Sequence, residues 1–127
     1  MKPFVSIICN CHNASNYISD SVKSALNQSY TNWELIIYDN FSRDETFFKI
    51  KNFLKDKRIK YFKSKSFLNL YNARNQAIKK SRGKYLAFLD ADDWWHKEKL
   101  TKQVAFIKRK KSNIIYSNLY LFYENER

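Results

Sequence analysis

Read for hydrophobic and polar positions alone, the chain alternates between two periods. Residues 4–9, FVSIIC, form a short apolar run rich in β-branched side chains, the composition of a buried strand. Ile18, Val22, Ala25 and Leu26 then recur at helical spacing, with Ser15 or Asn16 placed to cap that helix. Residues 33–39, WELIIYD, read as a second strand, and DETFFKIKNFLKDK sets Phe47, Ile50 and Leu54 at helical spacing. RIKYFKS is a third, weaker strand with polar alternation. NLYNARNQAIKKSRG is a helix through Leu70, Ala73 and Ala77, with Gly83 as the residue that ends it. KYLAFLD is a fourth strand and is expected to be the most buried. Leu100, Val104 and Ile107 mark a last helix, followed by NIIYSN as a fifth strand and LYLFYE as a further one.

Strands that alternate with helices imply parallel pairing through right-handed crossovers. In such sheets ligands gather beyond the carboxyl ends of the strands. Asn10, Cys11, His12 and Asn13 follow the first strand; Asp39, Asn40 and Ser42 follow the second; Asp90, Asp92 and Asp93 follow the fourth. Acidic side chains far apart in sequence are therefore expected on one edge. No repeat, low-complexity stretch or linker interrupts the alternation, so residues 1–127 read as one domain.

Composition narrows the chemistry. At 44% hydrophobic and 17% aromatic residues the chain can bury a core. Its net charge is +12, and the charge is uneven. Residues 1–40 hold Lys2 and Lys23 against Asp20, Glu34 and Asp39, a net −1, which leaves +13 on the rest. Such a field attracts phosphates, whether on a nucleotide, a nucleic acid or an anionic leaflet. Gly83 is the sole glycine, which excludes both the three-glycine dinucleotide fingerprint and the Walker loop. A bound diphosphate must then be neutralised another way, and a divalent cation held by carboxylates is the obvious one. Cys9 and Cys11 lie too close along an extended segment to bridge comfortably. MKPFVSIICN lacks a small-residue cleavage site, and no segment reaches the roughly 18 to 20 apolar residues of a membrane span. A reducing cytoplasm is the expected location.

Asp90 and Asp92 are two apart, so in an extended segment both carboxylates point to one side. Mg²⁺ or Mn²⁺, with oxygen ligands and open positions for phosphate, suits that pair. The bland alternative makes Asp93 a cap for the helix beginning near Lys97 and leaves the other two as solvated charges. An EF-hand is excluded, because Trp95 stands where its loop needs glycine. Asp39 either starts a turn or accepts hydrogen bonds from a base or ribose. Arg74 either lies on a solvated helix face or stands near base or phosphate. Cys9, Cys11 and His12 hint at zinc, but without a fourth ligand they read as strand-end packing. His96 reads as local packing. The runs KIKNFLKDKRIKYFKSK and KEKLTKQVAFIKRKK interleave basic and apolar residues. They read as amphipathic helices with a lysine face, with contact to an anionic membrane or nucleic acid as the functional alternative.

VSIICNCHNASNYISDSVKSALNQSYTNWELIIYDNFSRDET followed by ARNQAIKKSRGKYLAFLDADDWWHKEKL resembles the N-terminal half of family 2 glycosyltransferases with the GT-A fold. The resemblance runs from Phe4 to about Gln103. It implies a Rossmann-like α/β/α sandwich with a mostly parallel central sheet. It also implies a nucleoside-diphosphate-sugar donor, UDP-sugar foremost, and Mn²⁺ or Mg²⁺. By position in those motifs, Asn10, Cys11, His12 and Asn13 would line the base pocket and Asp39 would contact the base. Arg74 would sit by the nucleotide, Asp90 and Ala91 by the ribose, and Asp90 with Asp92 would hold the metal. The sugar would pass to a saccharide or lipid-linked acceptor in polysaccharide or glycoconjugate synthesis, at the inner face of the membrane.

Two departures stand out. The family commonly has Pro-Thr-Tyr in place of Asn10, Cys11 and His12, and an aspartate and a glycine in place of Asn40 and Phe41. Without the glycine, the loop after the second strand is expected to differ in shape. No residue matches the carboxylate that deprotonates the acceptor, so the catalytic base is unknown and the chain reads as a donor-binding half. The rival reading is a non-catalytic basic module for nucleic acid or an anionic membrane; a third is a transferase half that folds but transfers nothing. On the glycosyltransferase reading nucleic acid is not a partner. Peripheral membrane contact and self-association through the aromatic tail IIYSNLYLFYE remain candidate interactions.

Overall fold

The computed structural model describes residues 2–121. Four strands, β1 (Val5–Cys11), β2 (Trp33–Asp39), β3 (Ile59–Lys63) and β4 (Tyr85–Phe88), form one sheet in the order β3-β2-β1-β4. All three pairings are parallel, and the register sets Val5 opposite both Trp33 and Tyr85. The strands therefore end together at one edge.

Alternation along β1 divides the core. Val5, Ile7, Cys9 and Cys11 face one layer, which holds Ile18, Val22 and Ala25 of α1 (Ile18–Leu26). Ile50 of α2 (Thr46–Ile50) and Leu100 and Val104 of α4 (Lys99–Lys110) join the same layer. Ile8, with Ile36 and Tyr38 from β2, faces Ala73 and Ala77 of α3 (Leu70–Ile78). The small alanines let α3 approach the sheet closely. Asn69 caps it, its side chain accepting a hydrogen bond from the Asn72 amide at 2.9 Å.

Several elements depart from the pattern. The fourth strand is an edge strand, not the most buried one: Leu86 is 41% and Phe88 48% exposed, whereas all seven residues of β2 are buried. Among the described residues β4 pairs with β1 alone, and its exposed positions, Leu86 and Phe88, alternate with the half-buried Tyr85 and Ala87. The helix expected across Phe47, Ile50 and Leu54 breaks after one turn into a 3₁₀ segment, Lys51–Lys55. Neither Ser15 nor Asn16 caps α1; Tyr17 holds that position, and its side chain makes no capping hydrogen bond. Residues 14–17 form a preceding turn instead, in which the Ala14 carbonyl accepts from the Tyr17 and Ile18 amides. No strand forms over NIIYSN, because residues 113–118 have no pairing partner among the described residues. LYLFYE begins in coil and otherwise lies outside the described residues.

Gly83 does not terminate α3, which ends at Ile78 with Lys79 as its cap. Its role is close approach. A Cβ at Gly83 would stand 2.5 Å from the Ser6 amide nitrogen, 2.6 Å from Ser6 Oγ and 2.8 Å from the Val5 carbonyl carbon. Its own amide donates to Ser6 Oγ at 2.8 Å, and Ser6 Oγ donates to buried Glu34 at 2.7 Å. Glu34 also accepts from the Arg82 amide and from Lys60 Nζ, at 2.6 and 2.7 Å. This network closes the edge of the sheet opposite the strand ends.

Candidate functional site

At the carboxyl edge the loops after β1 and β2 are tied together by polar side chains. Asn13 adopts the left-handed conformation, φ 48°, which asparagine tolerates better than most residues. Its amide donates to Ser42 Oγ and its side-chain oxygen accepts from the Arg43 amide, both at 2.9 Å. His12 Nδ1 lies 2.8 Å from the Asn40 carbonyl, so that nitrogen carries the proton. The His12 ring also meets Phe67 edge-on at 4.8 Å. Asn40 grips the next loop through both ends of its amide, donating to the Leu68 carbonyl and accepting from the Leu68 amide at 2.8 and 2.9 Å. Below them Asp44 accepts from the Ser15 and Thr46 amides, each at 3.0 Å, and from the Thr46 hydroxyl. Desolvation works against the charge on Asp44, but these hydrogen bonds outweigh it and hold the carboxyl well below the usual carboxylate range.

Asp39 is fully buried, Oδ1 accepting from the Ser42 amide at 2.7 Å and Oδ2 from the Tyr61 hydroxyl at 2.5 Å. These bonds start the turn after β2, and each carboxylate oxygen keeps a further acceptor position beyond them. Tyr61 is pushed up in turn by its burial and by this charge. Cys9 and Cys11 are buried free thiols, which matches packing and not zinc. The Cys9 thiol is pushed up to about 12, first by burial and then by Asp90 and Asp92.

The acidic loop lies on the other side of β1. Asp90, Asp92 and Asp93 are exposed. Burial first, then the charges of Asp92 and Asp90, raise the Asp93 pKa, so negative charge is concentrated here. Arg74 leans across from α3. Its guanidinium sits 5.2 Å from the Phe88 ring centroid and 3.3 Å from Asp90 Oδ1, with the two side chains 34% and 63% exposed. Asp93 does not cap the last helix. That helix starts at Lys99, and Gln28 Oε1 accepts from the Leu100 amide at 3.0 Å.

Mn²⁺ or Mg²⁺ can be tested against these donors. Among the described residues no three histidine, cysteine or acidic side chains converge to hold an ion. Two exposed carboxylates suffice only for a hard cation whose remaining positions go to water and phosphate oxygens, which is how Mg²⁺ commonly binds. Asp90 and Asp92 fit an ion that arrives with a diphosphate, not one caged by protein.

Residues 6–127 match Glycosyl transferase family 2. The chain belongs to this family. Curated family relatives include a putative teichuronic acid biosynthesis glycosyltransferase, TuaG, of Bacillus subtilis, 43% identical over 107 residues, 84% of this chain and 42% of that one. WfgD of Escherichia coli, a UDP-Glc:α-D-GlcNAc-diphosphoundecaprenol β-1,3-glucosyltransferase, is 39% identical over 121 residues, 95% of this chain and 47% of that one. The family 2 chain thus spans less than half the length of these relatives. Among solved structures, Staphylococcus aureus TarS 1–349 in complex with UDP superposes with a TM-score of 0.79 at 27% identity, covering 86% of this chain and 32% of that one. The mannosyltransferase PcManGT of Pyrobaculum calidifontis, in complex with GDP-Man and Mn²⁺, gives 0.76 at 19%, covering 84% and 33%, and shows likeness of fold alone. The fold is GT-A, an α/β sandwich on a parallel sheet.

In the family 2 chain the turn after β2 forms without a glycine. Phe41 itself takes φ 64°, a conformation glycine adopts freely and a bulky residue only under strain. The Arg43 guanidinium covers its ring at 5.1 Å. Pattern reading overlooked the residues that aim the acidic loop. Ser21, fully buried on α1, has its hydroxyl 2.7 Å from the Ala91 carbonyl, 2.5 Å from that of Asp93 and 3.4 Å from that of Asp90. Gln28 Nε2 donates to the His96 carbonyl at 2.9 Å. The available signal was a polar residue on the apolar stripe of a helix, at Ser21 between Ile18 and Val22.

Proposed function

We propose that this chain is the donor-binding part of a glycosyltransferase that takes a nucleoside-diphosphate sugar, a UDP-sugar foremost, together with Mn²⁺ or Mg²⁺. The observation that carries the reading is the exposed Asp90 and Asp92 pair, moored by Ser21 at the carboxyl edge of a family 2 sheet that has no glycine-rich phosphate loop. WfgD is named for UDP-Glc, TarS was solved with UDP and UDP-GlcNAc, and PcManGT with GDP-Man and Mn²⁺.

On this reading Asp90 and Asp92 hold the cation, and Ala91 lies between them beside the ribose. A cation there supplies Lewis-acid stabilisation of the charge on the departing diphosphate. Arg74 brings a guanidinium to the same corner and exchanges its pairing with Asp90 for contact with the nucleotide. Asn10, Cys11, His12 and Asn13 form the wall of the base pocket. Asp39 contacts the base, and Asn40 fixes the loops that carry that wall. The acceptor is a saccharide or lipid-linked hydroxyl, for which WfgD's diphosphoundecaprenol acceptor is the precedent. On this reading the enzyme works in the cytoplasm at the inner face of the membrane. Among the described residues no helix is long and apolar enough to cross one. The basic-module reading draws no support from the relatives described.

Titration calorimetry with UDP, with and without Mn²⁺, tests the assignment. Cation-dependent binding is expected in the parent, and loss of it in Asp92→Ala with an unchanged far-ultraviolet circular dichroism spectrum. Equal UDP affinity in parent and variant would make the metal assignment wrong. Binding that needs no cation and falls steeply with salt would favour the basic module instead.

A further inference from the structure

The run KEKLTKQVAFIKRKK forms α4 and the residues that flank it, and the site at the carboxyl edge uses none of it. Residues 97–111 carry seven lysines and arginines against Glu98 alone, a net +6. Glu98 is itself paired with Lys102 Nζ at 3.1 Å. Leu100 and Val104 are buried in the core, so the apolar stripe of α4 is committed to the protein. The opposite face is open. Lys102, Phe106 and Arg109 recur along it at i, i+4 and i+7, all exposed, and the Arg109 guanidinium lies 5.8 Å from the Phe106 ring centroid. Just before the helix Trp95 packs on the core, while Trp94 is 50% exposed and shares an open groove with Asp20, Lys23, Asn27 and Lys97. Beyond the helix Ser117 Oγ accepts from Lys99 Nζ at 3.2 Å and from Gln103 Nε2 at 3.5 Å, which holds the following coil against the first turns of α4. Ile114, Leu119 and Leu121 in that coil are all exposed.

We infer that the outward face of α4, together with Trp94, docks on the anionic headgroups of a lipid leaflet. The contact rests on the donor-binding reading only for its purpose: Trp94 directly follows Asp93, so docking sets the acidic loop beside a leaflet that carries a lipid-linked acceptor. Charge complementarity favours this occupant, because a cation near an anionic leaflet strengthens attachment by roughly fivefold. The rings favour it too. Indole and phenyl groups flanked by cations settle at headgroup depth, where one side is apolar and the other wet. Aliphatic side chains such as Ile114 and Leu119 gain from the acyl boundary, whereas the phosphates and sugars that hold a protein on nucleic acid offer them nothing. Since the apolar stripe of α4 faces the core, the helix lies on the leaflet without entering it. Attachment is therefore largely electrostatic and weakens with salt.

Cosedimentation with vesicles tests this, using phosphatidylcholine alone and phosphatidylcholine mixed with phosphatidylglycerol. The parent is expected to bind the mixed vesicles, to ignore the neutral ones, and to be released as salt is raised. The triple variant Lys97→Gln, Arg109→Gln, Lys110→Gln removes three exposed cations from this surface and should weaken binding roughly a hundredfold. The triple variant Lys49→Gln, Lys55→Gln, Lys57→Gln removes as many exposed cations from α2 and the segment after it. It should bind nearly as the parent does, because charges beyond a Debye length of the leaflet are screened. Trp94→Ala should bind several-fold more weakly and lose most of the blue shift in tryptophan emission that vesicles cause in the parent. Equal losses in the two triple variants would trace attachment to net charge and not to this face, and would overturn the inference. So would equal binding to neutral vesicles, no vesicle binding at all, or an emission shift that survives in Trp94→Ala. A parent that binds a single-stranded oligonucleotide but no vesicle assigns the surface to nucleic acid instead. UDP binding with Mn²⁺ is measured without vesicles, so its failure strikes the donor reading and leaves the docking result standing.

Discussion

Replacing Gly83 by alanine is the sharpest test of how the sheet is held together. Gly83 has an ordinary backbone conformation. On conformational grounds alone, Gly→Ala at such a position stabilises a protein by about 0.4–1 kcal/mol, through the entropy of the unfolded chain. The contacts predict the opposite sign. The new methyl would stand 2.5 Å from a backbone nitrogen and 2.8 Å from a backbone carbon of β1, and neither can rotate away. Relief requires the segment before β4 to move back, and overpacking of this kind costs roughly 1–3 kcal/mol. That movement also stretches the 2.8 Å bond from the Gly83 amide to Ser6 Oγ, which is tied in turn to Glu34. Losing one such bond costs about 0.5–1.5 kcal/mol. Set against the entropic gain, the net destabilisation is about 1–4 kcal/mol. Urea unfolding followed by tryptophan fluorescence measures it, since fully buried Trp33 starts the neighbouring strand. An unchanged or raised midpoint would refute the close-contact account.

Two further outcomes follow from the same packing. Glu34 and Asp44 both have lowered pKa values: at each, desolvation opposes the charge and hydrogen bonds, with Lys60 assisting at Glu34, outweigh it. Carboxyls depressed in the folded state stabilise it above their unfolded pKa of about 4 and cease to do so as pH falls below it. The urea midpoint should therefore drop from pH 5 to pH 3, and Asp44→Asn should flatten that slope; an equal slope would remove Asp44 from the account. Cys9, at about 12, and Cys11, also raised by burial, should not react with a disulfide reagent at pH 8 until the protein is unfolded, when two thiols should appear. A fast-reacting thiol in the native protein would contradict their placement.

What the sequence disclosed followed from period. WELIIYD became β2 residue for residue, because a strand buried on both faces is a continuous apolar run between polar ends. The same rule misjudged KYLAFLD: its apolar run implied two buried faces, yet Leu86 and Phe88 are exposed and, among the described residues, β4 pairs with β1 alone. The expected helix at residues 44–57 gave way after Ile50 to a 3₁₀ segment, through which Phe53 and Leu54 still pack on the core. Asp90, Asp92 and Arg74 were visible as candidates from their positions at strand and helix ends. Asp39 was visible too, but its enclosure by Tyr61 and Ser42 was not, since hydrogen bonds between residues 22 apart leave no trace in periodicity. Gly83 was read as a helix stop because glycine's conformational freedom is the familiar reason for its presence. Here the reason is the absence of a side chain.

Ser21 offers one proton to three carbonyl oxygens of the acidic loop. Whichever carbonyl it serves, a small rotation of the hydroxyl transfers the bond to another, so the loop can slide by a fraction of an ångström and stay attached to α1. The first helix thus fixes where the carboxylates of Asp90 and Asp92 are presented, through the backbone and not through the acidic groups themselves.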